Sequence, residues 1–437
     1  MVEEPPPKKT ILSSIPGVKF EVPKEIKDTP IRNLVKENTK ITSFSEHPSL
    51  FKAIHDTDNV VINYLCKNID EILSIVLTKD DKIHGVVLYS VLKMENPVIT
   101  TSVAKSPNLI YYAFEILISI QPDHELLIRL VNITYIVLHT VTEEFPNMCG
   151  YIVQFLNILQ NYCSQSFFES ILKNEAEMES THNWLNSIGF AEVIATEISG
   201  TQPKGDPYLD YNTYRYTTLL KLVRLSLHCP ILAESFRCQK VIQAVLKPID
   251  GAHKFAIEER LCTILDLYNA ETYSYFRDFY LTALHIMDDF KDKGSLLRVA
   301  ATYIILKMIA YDHVIVEHIE DGYIPGIILN IFYRNAESTE LVRAAMSLAK
   351  AAIEVPSLME VMTQIVVPPL ISEATKPTNL FITSISYDFL IWCKDRADED
   401  QKFAKSLSLI PLWKPFCKKE LKKRLDMIEP YDTESLF

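Results

Sequence analysis

The sequence predicts an all-α protein, an α-solenoid of armadillo- or HEAT-like helical repeats, and three observations carry that prediction. Glycine is scarce, with ten residues in 437, against roughly three times as many at average usage. Sheet turns and phosphate-cradling loops depend on glycine for tight bends and close backbone approach, and helices do not. Apolar residues recur with a helical period along most of the chain. Breaks that carry proline or glycine delimit helices of roughly 10 to 18 residues, and pairs or triplets of these make units of about 40, the length of HEAT and armadillo repeats.

Residues 1–30 contain Pro5, Pro6, Pro7, Pro16, Pro23 and Pro30 among lysines and glutamates. Such a segment cannot bury enough apolar surface to offset its ordering entropy, so a disordered N-terminal tail is expected. Within it Val18-Lys19-Phe20 matches the V-x-F core of short phosphatase-docking peptides, but no basic residue stands immediately before the valine. From 31 to 428 one continuous helical-repeat domain is expected, because no interior stretch is rich enough in proline, glycine or serine to act as a flexible linker. Residues 429–437 are left as a C-terminal tail.

Within that body, Val61, Leu65, Ile69, Ile72, Leu73 and Val76 share one face, while Asn63, Lys67, Asp70, Glu71 and Ser74 lie off it. This is the signature of an amphipathic helix. Residues 109–120 carry one charge, Glu115, and residues 126–141 carry one, Arg129, so both helices are expected to sit between two other layers. Further on, Leu341, Ala345, Leu348 and Ala352 form a stripe, with Ser338 as N-cap. Helix starts and stops are expected at His47-Pro48, Asn96-Pro97, Ser106-Pro107, Gln121-Pro122, Phe145-Pro146, Cys229-Pro230, Gly294-Ser295, Gly322, Val355-Pro356 and Lys376-Pro377.

With 48% hydrophobic residues and a formal net charge of −12, the chain can bury a large core but lacks the clustered basic surface that phosphate neutralisation needs. Nucleic acid is therefore not expected as the main partner. The eight cysteines form no C-x-x-C pair and no zinc-ligand spacing with histidine, which fits reduced thiols in a cytoplasmic protein, with the nucleus equally compatible. The N-terminus lacks the pattern of a signal peptide, and no apolar stretch is long enough to span a bilayer.

Motifs for chemistry are missing. His313 and His318 are five residues apart, the wrong spacing for two ligands on one helical face, and there is no H-E-x-x-H, G-x-S-x-G, P-loop or kinase signature. No enzyme activity, cofactor or metal is expected. Residues 208–216 place Tyr208, Tyr211, Tyr214, Tyr216 and Arg215 in nine positions; these read either as interface anchors or as a loop packed on a helix. Lys414, Lys418, Lys419, Lys422, Lys423 and Arg424 surround Leu421 and Leu425 and read as the solvated face of an amphipathic helix, in preference to a site for an acidic partner or a membrane surface. Asp395, Asp398, Glu399 and Asp400 read as an acidic, solvent-facing loop.

One constellation is more specific than composition. Asn183-Trp184-Leu185-Asn186 is followed about 40 residues later by Leu222-Val223-Arg224-Leu225-Ser226. This resembles the SAPS domain of the phosphatase-associated regulatory subunits, in which an N-W-L-N segment opens the helix before a variable loop and a helix ending in an R-L-S-like sequence follows. The order of helices before it is also similar, so the resemblance covers residues 31–246. The acidic and glycine-containing stretches of that family's N-terminal part have no counterpart here, and the half beyond Lys254 matches only as generic helices. The resemblance implies a non-catalytic scaffold that binds a protein phosphatase 6-like (PP6-like) catalytic subunit and directs it to substrates, with Asn183, Trp184, Asn186, Tyr211, Tyr214, Arg215 and Arg224 as candidate contacts. Trp184 can also be a helix-packing aromatic, and Arg224 a polar anchor between repeats. An armadillo-type protein–protein adaptor with no phosphatase link is the alternative.

Overall fold

The computed structural model describes residues 29–119, 121–141, 150–173, 177–289, 291, 295–317 and 323–428. The expected tails, Val18-Lys19-Phe20, the Phe145-Pro146 break, Cys149, Gly294, His318 and Gly322 lie outside the described residues, apart from Thr29 and Pro30. Among the described residues the chain is all α, as the glycine scarcity and the helical period predict: 26 α-helices and no strand. The lack of a linker predicts one body, whereas the packing divides the chain into two compact units, Met1–Tyr151 and Ile152–Phe437.

The first unit contains α1 (Pro30–Lys36), α2 (Ile41–Ser45), α3 (Leu50–His55), α4 (Asn59–Lys67) and α5 (Ile69–Val76). It continues with α6 (Lys82–Leu92), α7 (Pro97–Lys105), α8 (Pro107–Ile118) and α9 (His124–Thr140). Side chains of Asp58, Asn96, Ser106 and Asp123 cap α4, α7, α8 and α9 by accepting from first-turn N–H groups, which satisfies donors that have no partner inside the helix. The stripe from Val61 to Val76 is buried throughout, although Asn68 divides it into α4 and α5. Helix α9 is enclosed, as its composition predicts. Helix α8 is not, because it packs on α5 and α9 through Leu109, Ala113 and Ile116 and leaves Tyr111, Phe114 and Ile118 exposed. A count of apolar residues does not reveal how many neighbours a helix has. Arg129 on α9 is buried and donates to the carbonyl of Val76, the last residue of α5, at 3.0 Å. Gly85 on α6 makes room for it, since a Cβ there would stand 2.9 Å from the guanidinium.

The second unit begins within a 3-10 stretch, Gly150–Ile158, and continues with α10 (Tyr162–Lys173), α11 (Glu179–Ser187), α12 (Phe190–Gly200), α13 (Tyr211–Leu227), α14 (Pro230–Phe236) and α15 (Gln239–Leu246). Next come α16 (Lys254–Leu267), α17 (Tyr280–Met287), α18 (Leu296–Tyr311), α19 (His313–Glu317), α20 (Tyr323–Arg334) and α21 (Thr339–Glu354). The last helices are α22 (Pro356–Thr375), α23 (Leu380–Glu399), α24 (Gln401–Ser408), α25 (Trp413–Phe416) and α26 (Lys422–Ile428). The long helices pack in series, α10 on α13, α13 on α16, α16 on α18, α18 on α21 and α21 on α23. Their N-cap positions, from α13 onward, are Asp210, His253, Ser295, Ser338 and Asn379, at steps of 43, 42, 43 and 41 residues.

A buried arginine near the start of several long helices binds backbone at the end of an earlier element. Arg215 donates to the carbonyl of Leu156, Arg260 to those of Val245 and Leu246 at 2.7 and 2.5 Å, and Arg298 to that of Met287 at 3.0 Å. Each places a cation where terminal carbonyls would otherwise be buried without donors. The core beside α10 to α14 is an aromatic series, Phe155, Phe167, Phe168, Phe190 and Phe236, with neighbouring ring centroids 5.0 to 6.0 Å apart. Pro368 and Pro369 lie inside α22 without ending it; packing against α20, α21, α23 and α24 offsets the hydrogen bonds that proline removes.

Candidate protein interface

Each long helix of the second unit turns one stripe to its neighbours and another outward. Tyr214, Lys221 and Arg224 mark the outward stripe of α13, Glu259, Cys262 and Asp266 that of α16, and Tyr303 and Lys307 that of α18, none of them buried. Arg343, Ser347 and Lys350 continue it on α21, and Phe381, Ser384 and Asp388 on α23. The spacings of three, four and seven are those of one helical face.

Bonds between successive helices hold these stripes together. The Arg224 Nε donates to Asp266 Oδ2 at 2.8 Å and its Nη1 to Glu259 Oε2 at 3.4 Å, joining α13 to α16. Lys307 Nζ donates to the carbonyls of Leu265 and Tyr268 at 2.7 and 3.0 Å, joining α18 to the end of α16; burial lowers its pKa, and Asp266 partly offsets that. Lys350 stands 5.4 Å over the Trp392 ring, and Arg396 pairs with Glu354 at 2.8 Å, joining α21 to α23. Between α18, α21 and α23 lies a groove of about 450 Å³ with Met346 and Phe389 buried in its wall and Tyr303, Arg343, Lys350 and Asp388 around it. The accessible lining is mostly polar with charges of both signs, the composition of the rim of a protein-contact surface.

At the start of α13 the chain displays a second feature. The Asp210 carboxylate accepts from Thr213 Oγ1 at 2.6 Å, Thr213 N at 2.9 Å and Lys204 N at 3.4 Å. The Thr213 hydroxyl, with these backbone donors, holds its pKa down to about 2. Gly205 permits the loop to close, because a Cβ there would lie 2.9 Å from that of Asp210. Asp206 accepts from Tyr208 N at 2.8 Å, and the resulting turn leaves Tyr208 94% and Leu209 89% exposed. An Asp210→Ala variant is expected to lose about 1–2 kcal/mol, the usual effect of deleting a helix cap, read as a lower urea midpoint at pH 7. Because the folded pKa lies below the unfolded value of about 3.9, this contribution is fully present above pH 4 and fades as the pH falls towards 2. The wild type and variant should therefore converge in acid; a constant gap across that window would contradict the assignment.

The residues singled out by sequence fall into two groups. Tyr211 is exposed and donates to the carbonyl of Asn157 at 3.2 Å, and Tyr214 donates to Gln165 Oε1 at 2.5 Å. Arg224 lies on the outward stripe and bridges two helices. Arg215 requires a correction, since it is buried and bound to Leu156 and Glu197 and so is an internal clamp without surface to offer. Asn183, Trp184 and Asn186 lie apart from these on α11, which packs on α14 and α12. Asn183 and Asn186 are exposed and Trp184 half-buried, and the Asn186 side chain accepts a hydrogen bond from Ser235 on α14. The N-W-L-N segment fills the last turns of α11 and does not open it, whereas the R-L-S segment does end α13. Sequence reasoning missed the groove residues Tyr303, Arg343, Lys350, Phe381 and Asp388. Their signal is the register of the caps at 295, 338 and 379, which is legible only once the repeat is known.

A thiol and an imidazole also meet, with Cys229 Sγ 3.2 Å from His182 Nδ1. Nε2 of the same ring donates to the carbonyl of Ile171 at 2.7 Å, which leaves Nδ1 of the neutral tautomer to accept a hydrogen bond from the thiol. Both residues are buried, and the pair serves the core. Among the described residues no group of three or more His, Cys, Asp or Glu could hold a metal ion. No helix among them is long and apolar enough to cross a membrane. No family model matches the chain, and no curated protein matches it.

Proposed function

We propose that the chain is a helical-repeat scaffold without chemistry of its own, which holds a PP6-like serine/threonine phosphatase catalytic subunit in the cytoplasm or nucleus and directs it to substrates. The observation that carries the scaffold reading is the series of long helices whose N-cap positions recur every 41 to 43 residues, with bonds joining α13 to α16, α16 to α18 and α21 to α23. We read Ile152–Phe437 as an α-solenoid of armadillo- or HEAT-like repeats, an architecture that binds other proteins along an extended surface. The phosphatase as partner rests on the resemblance of residues 183–186 and 222–226 to the SAPS pattern. A scaffold of this kind acts by effective concentration: tethering an enzyme beside its substrate raises the encounter rate and leaves the chemistry unchanged.

A second reading is an armadillo-type adaptor with no phosphatase link. It is favoured by the use of Asn186 and Arg224 in bonds to Ser235, Asp266 and Glu259, which leaves the exposed Asn183 and the half-buried Trp184 of the family pattern. The test is binding of purified PP6-like catalytic subunit to the full chain, to Trp184→Ala and to an Arg343→Glu/Lys350→Glu double variant. Saturable binding that either variant weakens at least about tenfold, the equivalent of 1.4 kcal/mol, supports the regulatory-subunit reading and locates the contact. No binding to the wild-type chain removes the phosphatase and leaves the adaptor.

A further inference from the structure

The ends of α12 and α15 enclose a cavity that the protein-binding reading does not use. Helix α12 packs on both α13 and α15, and the chain leaving α12 (residues 201–204) faces the chain leaving α15 (residues 247–250) across about 120 Å³. Tyr216, on the second turn of α13, lines this space. It is 1% exposed, and its hydroxyl has no hydrogen-bond partner among the described residues. Buried polar groups are nearly always paired, so an orphaned hydroxyl beside a cavity calls for a ligand or solvent partner. Burial pushes the Tyr216 pKa up to about 12, so the hydroxyl keeps its proton at neutral pH and can donate.

The charges around it indicate what it donates to. Arg260 lies close enough to Tyr216 to act on it electrostatically, and its guanidinium is fixed by the carbonyls of Val245 and Leu246. Lys204 and Lys247 line the cavity with exposed side chains, and Lys247 Nζ donates to the carbonyl of Ser199 at 2.7 Å. Asp250, also exposed, is the one carboxylate among the lining residues. Gln202 adds an amide donor, while Ile198, Ala244 and Ile249 form the apolar part. A water molecule would satisfy the hydroxyl, but it would leave the excess of positive charge unused.

We propose that this cavity is a binding site for a phosphate-type oxyanion, either free inorganic phosphate or the phosphomonoester end of an organic ligand. The Tyr216 hydroxyl donates to the anion, and Lys204 and Lys247 balance its charge.

The experiment is calorimetric titration of the full chain with inorganic phosphate and, separately, with phosphoserine, in chloride buffers of matched ionic strength. Tyr216→Phe keeps the ring and its packing and removes only the hydroxyl. The wild type is expected to bind one equivalent, Tyr216→Phe to bind about tenfold more weakly or worse, the usual effect of losing a hydrogen bond to a charged group, and Lys204→Ala to bind more weakly as well. The titrant that binds tighter identifies the source of the phosphate. Without ligand, Tyr216→Phe should melt no lower than wild type, because it loses no hydrogen bond. Absence of binding by the wild type up to tens of millimolar overturns the proposal, and so does equal affinity of wild type and Tyr216→Phe. Neither variant touches the groove between α18, α21 and α23, so this site and the phosphatase reading fail separately.

Discussion

Replacing Arg298 by alanine is expected to remove roughly 3–5 kcal/mol from the stability of the second unit, the sum of two lost hydrogen bonds and a cavity. Among the described residues Arg298 is the largest fully buried side chain. Its Nε donates to the carbonyl of Met287, the last residue of α17, and its Nη1 to Asn335 Oδ1, each at 3.0 Å. Truncation leaves both acceptors buried without these donors, at about 1–3 kcal/mol apiece, and opens a cavity between α17 and α18 that neighbouring side chains fill only in part. Arg298→Met separates the two effects, because it restores volume and no donor; it should recover only the cavity share, about 1–2 kcal/mol. Urea unfolding measures the total, and hydrogen exchange at the C-terminal turn of α17 shows whether the loss begins there. An unchanged midpoint for Arg298→Ala would mean that the clamp carries no net stability.

Glu373→Ala should have the next largest effect, a loss of roughly 2–4 kcal/mol. This buried carboxylate at the end of α22 accepts from Thr378 N at 2.8 Å, Thr378 Oγ1 at 2.7 Å, Asn379 N at 3.2 Å and Thr383 Oγ1 at 3.0 Å. It thereby holds the α22–α23 connection and the N-cap of α23 in place. Burial alone would push the Glu373 pKa up, but the hydrogen bonds from Thr378, Asn379 and Thr383 together outweigh it and leave the pKa lowered. The folded value therefore lies below the unfolded one, about 4.3. The contribution is fully present above that pH and is lost as the pH falls through the folded value. Glu373→Gln keeps the shape but sets an NH₂ against these donors, so it should lose nearly as much as alanine at pH 7. Melting curves for the three proteins at pH 7 and pH 3 check this, and a gap as wide at pH 3 as at pH 7 would show that the carboxylate charge is not the source.

What the sequence revealed and what it concealed can be traced to particular residues. Proline breaks at 97, 107, 230 and 356 each open a helix, because proline fits the first turn of a helix, where its missing N–H has no intrahelical role. The stripe of Leu341, Ala345, Leu348 and Ala352 is buried throughout, since a single apolar face repeats at the helical period. Pro368 and Pro369, by contrast, carry the same local signal and end nothing, because packing around α22 overrides it. The exposed face of α8 escaped notice because composition counts apolar residues and does not count neighbours. Arg215 escaped for the opposite reason: an arginine among tyrosines looks like surface, and only the position of Leu156 and Glu197, 59 and 18 residues away, draws it inside. The groove between α18, α21 and α23 assembles residues from three helices between positions 303 and 389 of the chain, beyond the reach of any local pattern.

The series of long helices also has a consequence for how the protein comes into being. Each of the long helices α13, α16, α18 and α21 rests on a long helix that left the ribosome about a repeat earlier, so its docking closes a loop of about 40 residues. Contacts of such short sequence range favour fast folding, and a growing chain can add each helix to a template already in place. The second unit is thus suited to folding from its N-terminal side during synthesis, with Arg260 and Arg298 each clamping a finished helix end as the next helix arrives.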